Sequence, residues 1–345
     1  TSQKNDELME KKFMFFLSAL TFLFASCNSN DDGVNSGIEI PGITITDDVD
    51  CCSADEAYRV YKFLSDLVNV PELTSEIGGK YNVYVYTETG TLHKGYNDLY
   101  FVVTKKTTGN YVKNFSVDSI TPLMYMVKSG MTHSTPVGPQ VTTIDGQPEA
   151  LRHGWVSLLM NTSESGTWSL SYDVSVLGSD GGVDNVAIKV NALPDGQEWI
   201  KSFKVDNDVF YLSLVNPLDW KTGTNEIKAY IISSLLKASV LPALSILLLG
   251  TGWWIISMKS LSSTTAEEDF VLDIDPRMPD MGNHTSPDNV SLTRQSDGSY
   301  LGTVTVTMTG LWRIHLTVRN ADGDVIGGGD SEKDGFSSLY WEVTL

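Results

Sequence analysis

Two stretches of the chain carry the same short motifs in the same order, and this internal repeat limits the fold more than any other feature. Each stretch has a Gly-x-Asn, a Pro-x-Met, a Gly with a Met six residues later, and then a Trp. The matched residues are Gly95 and Gly223, Pro122 and Pro276, Gly154 and Gly302, and Trp168 and Trp312. An internal repeat predicts two similar structural units, and 345 residues are enough to build two hydrophobic cores.

Apolar and polar residues alternate along several short runs, a pattern typical of β-strands with one buried face. The runs include Tyr81–Val85, Leu99–Val103 and Trp168–Val174, and Thr, Gly and Asn residues separate them. We therefore expect an all-β protein with two tandem Ig-like β-sandwich domains, 78–200 and 201–345.

A short helical segment, 51–77, is expected before the first sandwich. Ser53 could cap a helix that runs from Ala54 to about Val68. The acidic residues in the first turn of this helix would also interact favourably with the helix dipole. The apolar residues that repeat at helical spacing are Tyr58, Tyr61, Leu64 and Leu67.

Residues 1–27 have the pattern of a bacterial export signal. A basic pair, Lys11-Lys12, precedes the apolar run Phe13–Phe24, and Met9 is then the expected start residue. The sequence Ala25-Ser26-Cys27 resembles a lipobox, which implies cleavage before Cys27 and attachment of lipid to its thiol. An ordinary secretory signal with a stray cysteine and a short membrane anchor are the alternatives.

Residues 28–50 are polar and rich in Gly and Asp, so they predict a flexible tether. The acidic run that follows Cys27 resembles the signal that sends some Gram-negative lipoproteins to the outer face of the outer membrane. We therefore expect a lipoprotein of the Gram-negative cell envelope that is held to the membrane by the lipid on Cys27 and exposed at the cell surface. A net charge of −19 disfavours nucleic acid as a partner.

Two further cysteines, Cys51 and Cys52, are adjacent in the sequence. A disulfide between neighbouring residues is strained. The pair could bind a metal, link two chains or remain reduced.

An apolar segment, Ala238–Met258, has no charged residue and lies within an insertion, 233–262, that the first copy lacks. Its length and hydropathy match a transmembrane helix, but a membrane span there would divide the second sandwich. It could instead be a membrane- or partner-inserted hairpin, a buried or edge extension of the domain, or an anomaly that the fold tolerates as a loop. We favour a surface insertion that contacts a membrane or a partner protein.

Seven of the ten methionines gather with two histidines in the two repeats. The first cluster contains Met124, Met126, Met131, His133 and Met160, and the second contains Met278, Met281, His284 and Met308. Thioether and imidazole groups are neutral, soft ligands that favour Cu(I), whereas zinc prefers thiolate, imidazole or carboxylate. The alternative is packing, because methionine fills irregular gaps and packs against aromatic rings.

The second half resembles the YtkA-like domain, a family of small extracytoplasmic β-sandwiches often found beside copper-handling and respiratory-oxidase proteins. The resemblance spans about 205–325 and rests on Met278-Pro-Asp-Met281-Gly-Asn-His284 with Pro287, and on Gly302 to Trp312. Residues 78–178 resemble a diverged copy. This resemblance implies a sandwich fold and an association with copper. The chain departs from the pattern in the extra residues before His133 and in the apolar insertion.

The sequence contains neither a Gly-rich phosphate loop nor a nucleophile motif, so we do not expect an enzyme. Trp168 and Trp312 are expected to anchor the cores. His93 and His153 have no neighbouring ligand types, and His315 is expected to face solvent because it alternates with Ile314 and Leu316.

The expected function is copper binding by an envelope lipoprotein, for chaperoning, acquisition or buffering of Cu(I). One alternative is an Ig-like scaffold without metal in an envelope complex, docked through the apolar insertion. Another is an accessory lipoprotein of an outer-membrane transporter.

Overall fold

The computed structural model describes residue 40 and residues 54–138, 141–194, 197–206, 208–233, 269–329 and 335–345. The expected signal segment, 1–27, the tether apart from Ile40, the pair Cys51 and Cys52, and the apolar segment Ala238–Met258 lie outside the described residues.

The first described element is a helix, Ala54–Leu64, which ends before the predicted Val68 because the chain turns there and enters a strand. Acidic residues occupy its first turn, as expected. Ala57, Val60 and Leu64 are its buried residues, whereas Tyr58 and Tyr61 are exposed. The two tyrosines repeat at helical spacing but lie outside the buried face, where a phenol ring keeps its hydroxyl in water.

The first sandwich consists of two main sheets and a short parallel pair of strands. Its strands are β1 (Val68–Asn69), β2 (Ser75–Ile77), β3 (Tyr81–Thr87), β4 (Leu92–His93), β5 (Gly95–Lys105), β6 (Tyr111–Val112), β7 (Phe115–Met126), β8 (Met131–Ser134), β9 (Arg152–Leu158), β10 (Gly166–Val176), β11 (Ser179–Ile188) and β12 (Val190–Asn191). Strands β4 and β12 form the parallel pair. One main sheet has the order β1-β3-β5-β6, with β2 on β3 and β9 on β5, and the other has the order β11-β10-β7-β8. Phe101, Trp168 and Tyr172 are among the residues that fill the core between them.

The second sandwich is one continuous, hydrogen-bonded sheet whose strands enclose a single core. Its strands are β13 (Ile200–Val205), β14 (Asp208–Leu214), β15 (Gly223–Ser233), β16 (Val271–Met278), β17 (His284–Thr285), β18 (Val290–Arg294), β19 (Tyr300–Val306), β20 (Leu311–Arg319), β21 (Val325–Gly327) and β22 (Tyr340–Thr344). The order is β13-β14-β15-β19-β18-β16-β20-β21, with β17 on β16 and β22 on β20. Its core includes Leu193 and Trp199, so this core begins before the boundary expected at residue 200.

Strand registers repeat between the two sandwiches, as the sequence motifs indicate. Asn97 lies opposite Val156 in the pair β5–β9, and Asn225 lies opposite Val304 in the pair β15–β19. In the other sheet the matched pairs are Pro122 with Leu170, and Pro276 with Ile314. The described residues are therefore mostly β-strand apart from short helical elements, and matching strand pairs recur in the two halves.

The two sandwiches meet through an aromatic cluster of Tyr96 and Trp155 from the first and Tyr230 from the second. The rings of Tyr96 and Tyr230 are stacked with their centroids 5.7 Å apart, and the centroids of Trp155 and Tyr230 lie 4.4 Å apart. Ring pairs at such distances stabilise a contact beyond the apolar area that they bury.

The shared Gly-x-Asn motif forms the same hydrogen bonds at the start of β5 and β15. Asn97 Nδ2 donates to the carbonyls of Gly95 (2.8 Å) and His93 (2.7 Å), and its Oδ1 accepts from the His93 amide (2.9 Å). Asn225 makes the equivalent three bonds to the residues two and four positions before it. Gly95 has a φ of 95°, which only glycine adopts without strain.

Replacement of either asparagine tests this motif. Asn97→Ala should lower the free energy of unfolding by about 2–3 kcal/mol, because it leaves buried backbone groups without partners, and Asn225→Ala by about 1 kcal/mol, because water reaches that site. Urea unfolding would measure both losses. A loss for Asn97→Ala no larger than that for Asn225→Ala would contradict this assignment.

Candidate functional site

The strand pair β7–β8 brings four residues of the first methionine cluster onto one face. Met124 lies opposite His133, and Met126 lies opposite Met131. Cross-strand partners share a face, with their Cβ atoms about 4.5–5.5 Å apart, and residues two apart on one strand also share a face. The extra residues before His133 form the turn of this hairpin, so they bring the pairs together rather than separating them.

The exposure of these four side chains increases from the core towards the edge of the sheet. Met124 is only 4% exposed, whereas Met131 is 54% exposed at the edge. Met126 is half-buried, and its Sδ lies 3.6 Å from where a Cβ on Gly166 would be. The methyl group of Met124 occupies the space beside the same glycine. The glycine thus leaves room for two thioether side chains at the end of the core.

The second cluster repeats the Met–His pair in the strand pair β16–β17. Met278 lies opposite His284, and a 3-10 turn, Pro279–Met281, joins the two strands. Met278 is 4% exposed and Met281 is 57% exposed. The turn closes with a hydrogen bond of 3.0 Å from the Asn283 amide to the Met278 carbonyl.

The turn before β20 approaches this second Met–His pair. His284 Nε2 lies 3.3 Å from Thr307 Oγ1, and the methyl carbon of Met278 lies 3.1 Å from where a Cβ on Gly310 would be. Met308, between them in the sequence, is half-buried and packs against the second core. The segment that carries Met308 therefore contacts both Met278 and His284. Met281 lies on the 3-10 turn that joins the two strands.

A buried tryptophan fixes the last methionine of each cluster through its backbone. Trp168 Nε1 donates to the Met160 carbonyl (2.9 Å), and Trp312 Nε1 donates to the Met308 carbonyl (3.0 Å). Both tryptophans lie in the cores, which confirms their expected role as anchors. The side chain of Met160 is 41% exposed.

The donor types in both clusters suit a soft metal. Each cluster combines one imidazole with several thioethers, all of them neutral, and Cu(I) is the ion that such a set favours. Among the described residues, no group of three or more His, Cys, Asp and Glu side chains is arranged to hold a metal ion. Any metal site built from these strands would therefore depend on methionine sulfur.

The remaining histidines lie elsewhere. His153 Nε2 lies 2.5 Å from Asp98 Oδ1, and His93 Nδ1 lies 2.9 Å from the Lys94 carbonyl. His315 is 8% exposed, so the expectation that it faces solvent is wrong. The segment that ends in β22 covers this face of β20: the His315 ring packs on Phe336 and Tyr340, and Nδ1 donates to the Ser337 carbonyl (2.6 Å).

Sequence reasoning did not find the partners that surround the methionines. Thr307 has no distinctive spacing from His284, so no signal in the sequence points to their contact. Gly166 and Gly310 belong to the Gly-x-Trp motif, but the motif does not reveal that each glycine borders a methionine methyl group.

No protein-family model and no curated protein matches this sequence. Among solved structures, a chain described as "pT26-6p" is similar with 9% sequence identity and a TM-score of 0.21, covering 80% of this chain and 67% of that chain. Within the part of the chain that the structure describes, no helix combines the length and the apolar character needed to cross a membrane.

Burial of His315 predicts a pH dependence of stability. Burial lowers the pKa of His315 below the usual value of about 6.5, an effect that the hydrogen bond to Ser337 only partly offsets. As the pH falls below about 6.5, the unfolded chain takes up the proton first, so the contribution of neutral His315 to stability is lost.

The variant His315→Asn keeps a side-chain N–H donor but does not titrate. We expect the difference in unfolding free energy between the original protein and this variant to shrink as the pH falls from about 7 to about 5. Urea unfolding at several pH values would measure it. A difference that stays constant across this range would contradict the assignment.

Proposed function

We propose that the protein is a cell-envelope lipoprotein that binds Cu(I) through the two methionine–histidine clusters, one in each sandwich. The observation that carries this proposal is the repeated cross-strand pair: Met124 with His133, and Met278 with His284. Packing alone explains the buried methionines, but it gives no reason for an exposed histidine opposite each of them.

The exposure gradient within each cluster suits transfer of an ion. Met131 and Met281 are open to solvent, so they are suited to capture Cu(I) first. The histidine and the deeper methionines then offer further soft donors. Bonds from thioethers to Cu(I) are individually weak, so ligands can exchange one at a time. This property fits chaperoning, acquisition or buffering better than permanent storage.

Three parts of this proposal rest on the sequence. They are the lipid anchor on Cys27, the outer-membrane location and an accessory role beside an outer-membrane transporter. The chain would then handle copper at the envelope, tethered by residues 28–50. The resemblance to the YtkA-like family supports the same setting.

Anaerobic titration of the full chain with Cu(I) against a competing chelator tests the proposal. We expect about two equivalents of competitive binding, one for each cluster, because soft thioether and imidazole donors hold Cu(I). The surface variant Met281→Leu/His284→Gln should lose one equivalent, and Met131→Leu/His133→Gln should lose the other.

The same hairpins supply matched controls. Tyr125 and Thr132 form a cross-strand pair on the opposite face of β7–β8, and Thr285 lies opposite Arg277 on β16–β17. Tyr125→Leu/Thr132→Gln and Thr285→Gln should therefore retain both equivalents. Failure of the original protein to compete with the chelator would overturn the proposal, as would equal losses in the control variants.

Acylation of Cys27 has its own test. Cys27→Ser should abolish incorporation of labelled palmitate and release the chain from the membrane fraction of a Gram-negative host. Labelling that persists in the variant would show that Cys27 is not the lipid attachment site.

A metal-free scaffold is the second candidate, and the deep burial of Met124 and Met278 favours it. Both are 4% exposed and belong to the two cores. If they only pack, Met124→Leu and Met278→Leu should each change stability by less than about 1.5 kcal/mol. Such a result together with no Cu(I) binding by the original protein would favour the scaffold.

A further inference from the structure

Each methionine cluster contains one thioether that is open to solvent and one that the core encloses. Met131, at the start of the edge strand β8, and Met281, on the 3-10 turn after β16, are both more than half exposed. Met124 and Met278 are almost fully buried. The two pairs of sulfur atoms therefore meet dissolved reagents to very different extents.

The surroundings of the two exposed methionines are empty. Gly130 lies directly before Met131, and a Cβ on this glycine would meet no atom within 4 Å apart from its neighbours in the chain. The same is true of Gly282, which lies directly after Met281. A small oxidant such as hydrogen peroxide can therefore reach both thioethers without any movement of the backbone.

The two buried methionines are shielded by the cores to which they belong. The methyl group of Met124 fills the space beside Gly166, and the methyl group of Met278 fills the space beside Gly310. An oxygen atom added to either sulfur would place a polar group in a hydrophobic core and would lower stability. The same oxidation is therefore tolerated at the surface and destabilising inside.

Hydrogen peroxide oxidises a thioether in a two-electron reaction. A lone pair on sulfur attacks the O–O bond, an S–O bond forms, and the other oxygen leaves as water, so sulfur is oxidised and the peroxide is reduced. The product, methionine sulfoxide, is polar and lacks the soft thioether donor that Cu(I) favours. A thiol-dependent reductase reverses the change: the oxygen leaves as water while two thiols form a disulfide.

We propose that Met131 and Met281 are sites of reversible oxidation, and that hydrogen peroxide switches off Cu(I) capture by converting them to sulfoxides. This switch rests on the proposed function, in which these two residues capture the ion first. Because both side chains lie in solvent, their oxidation leaves the cores intact, and reduction restores the same site. Met124 and Met278 stay reduced and keep the two sandwiches folded.

Treatment of the full chain with hydrogen peroxide, followed by Cu(I) titration against a chelator, tests this switch. Catalase then removes the peroxide, and dithiothreitol, itself removed before the titration, reduces cysteine disulfides but leaves methionine sulfoxides in place. Peptide mass spectrometry should find the added oxygen on Met131 and Met281 before it appears on Met124 and Met278. The affinity for Cu(I) should fall at least about ten-fold, because the capturing thioethers are lost, and should recover after treatment with methionine sulfoxide reductase.

Two variants locate the response to peroxide. Met131→Leu/Met281→Leu should bind Cu(I) more weakly from the start, through the remaining imidazole and thioether groups, and peroxide should weaken this binding no further. Met160→Leu removes the third exposed thioether of the clusters, and it should respond to peroxide as the original chain does. Peroxide sensitivity that persists in the double variant would contradict the proposed switch, since the sensitive group would then lie elsewhere.

The possible outcomes separate the switch from the proposed function. Absence of Cu(I) binding by the untreated chain would overturn both. Unchanged Cu(I) binding after oxidation of Met131 and Met281 would overturn the switch alone. The melting temperature of the oxidised chain should equal that of the untreated chain. A lower melting temperature would also count against the switch, because the loss of Cu(I) binding would then follow from damage to the cores.

Discussion

Cross-strand register is the constraint on which both methionine clusters depend. Side chains alternate between the two faces of a sheet, so a slip of one residue in β7–β8 would place His133 on the opposite face from Met124. The register is set by the long pairing of β7 with β10, which the buried Trp168 holds against the core. The candidate donors are thus positioned by the core itself, and the second sandwich repeats the arrangement.

The indole N–H groups of Trp168 and Trp312 link each core to the segment that carries the last methionine of its cluster. A buried indole N–H without a partner costs free energy, and in each sandwich it is satisfied by the carbonyl of the last methionine in the cluster. The backbone there cannot move freely without losing this bond. In the second copy the same segment carries Thr307, which contacts His284. One hydrogen bond therefore serves both the stability of the sandwich and the placement of candidate donors.

Much of the fold could be predicted from the sequence, because strand alternation and the repeated motifs report directly on which side chains face a core. The alternation at Trp168–Val174 predicted the strand observed there, Gly166–Val176, and the paired motifs predicted two similar units. The strand pairings and their registers come from the structure alone. The burial of His315 could not be predicted, since the segment that covers it is distant in sequence. The contact between the sandwiches could not be predicted for the same reason, since Tyr96 and Tyr230 are far apart in the sequence.

The differences between the two copies indicate which features matter. The first copy joins Met126 to Met131 by a hairpin turn over residues 127–130, whereas the second uses a 3-10 turn that ends at Met281. The turns have diverged in length and conformation, yet each returns a histidine to the position opposite a buried methionine. Chain stability does not require an exposed histidine at that position, because solvent would accept most side chains there equally well. The proposed Cu(I) sites therefore rest on this shared position of the histidine, whereas burial of the two methionines is what packing alone requires.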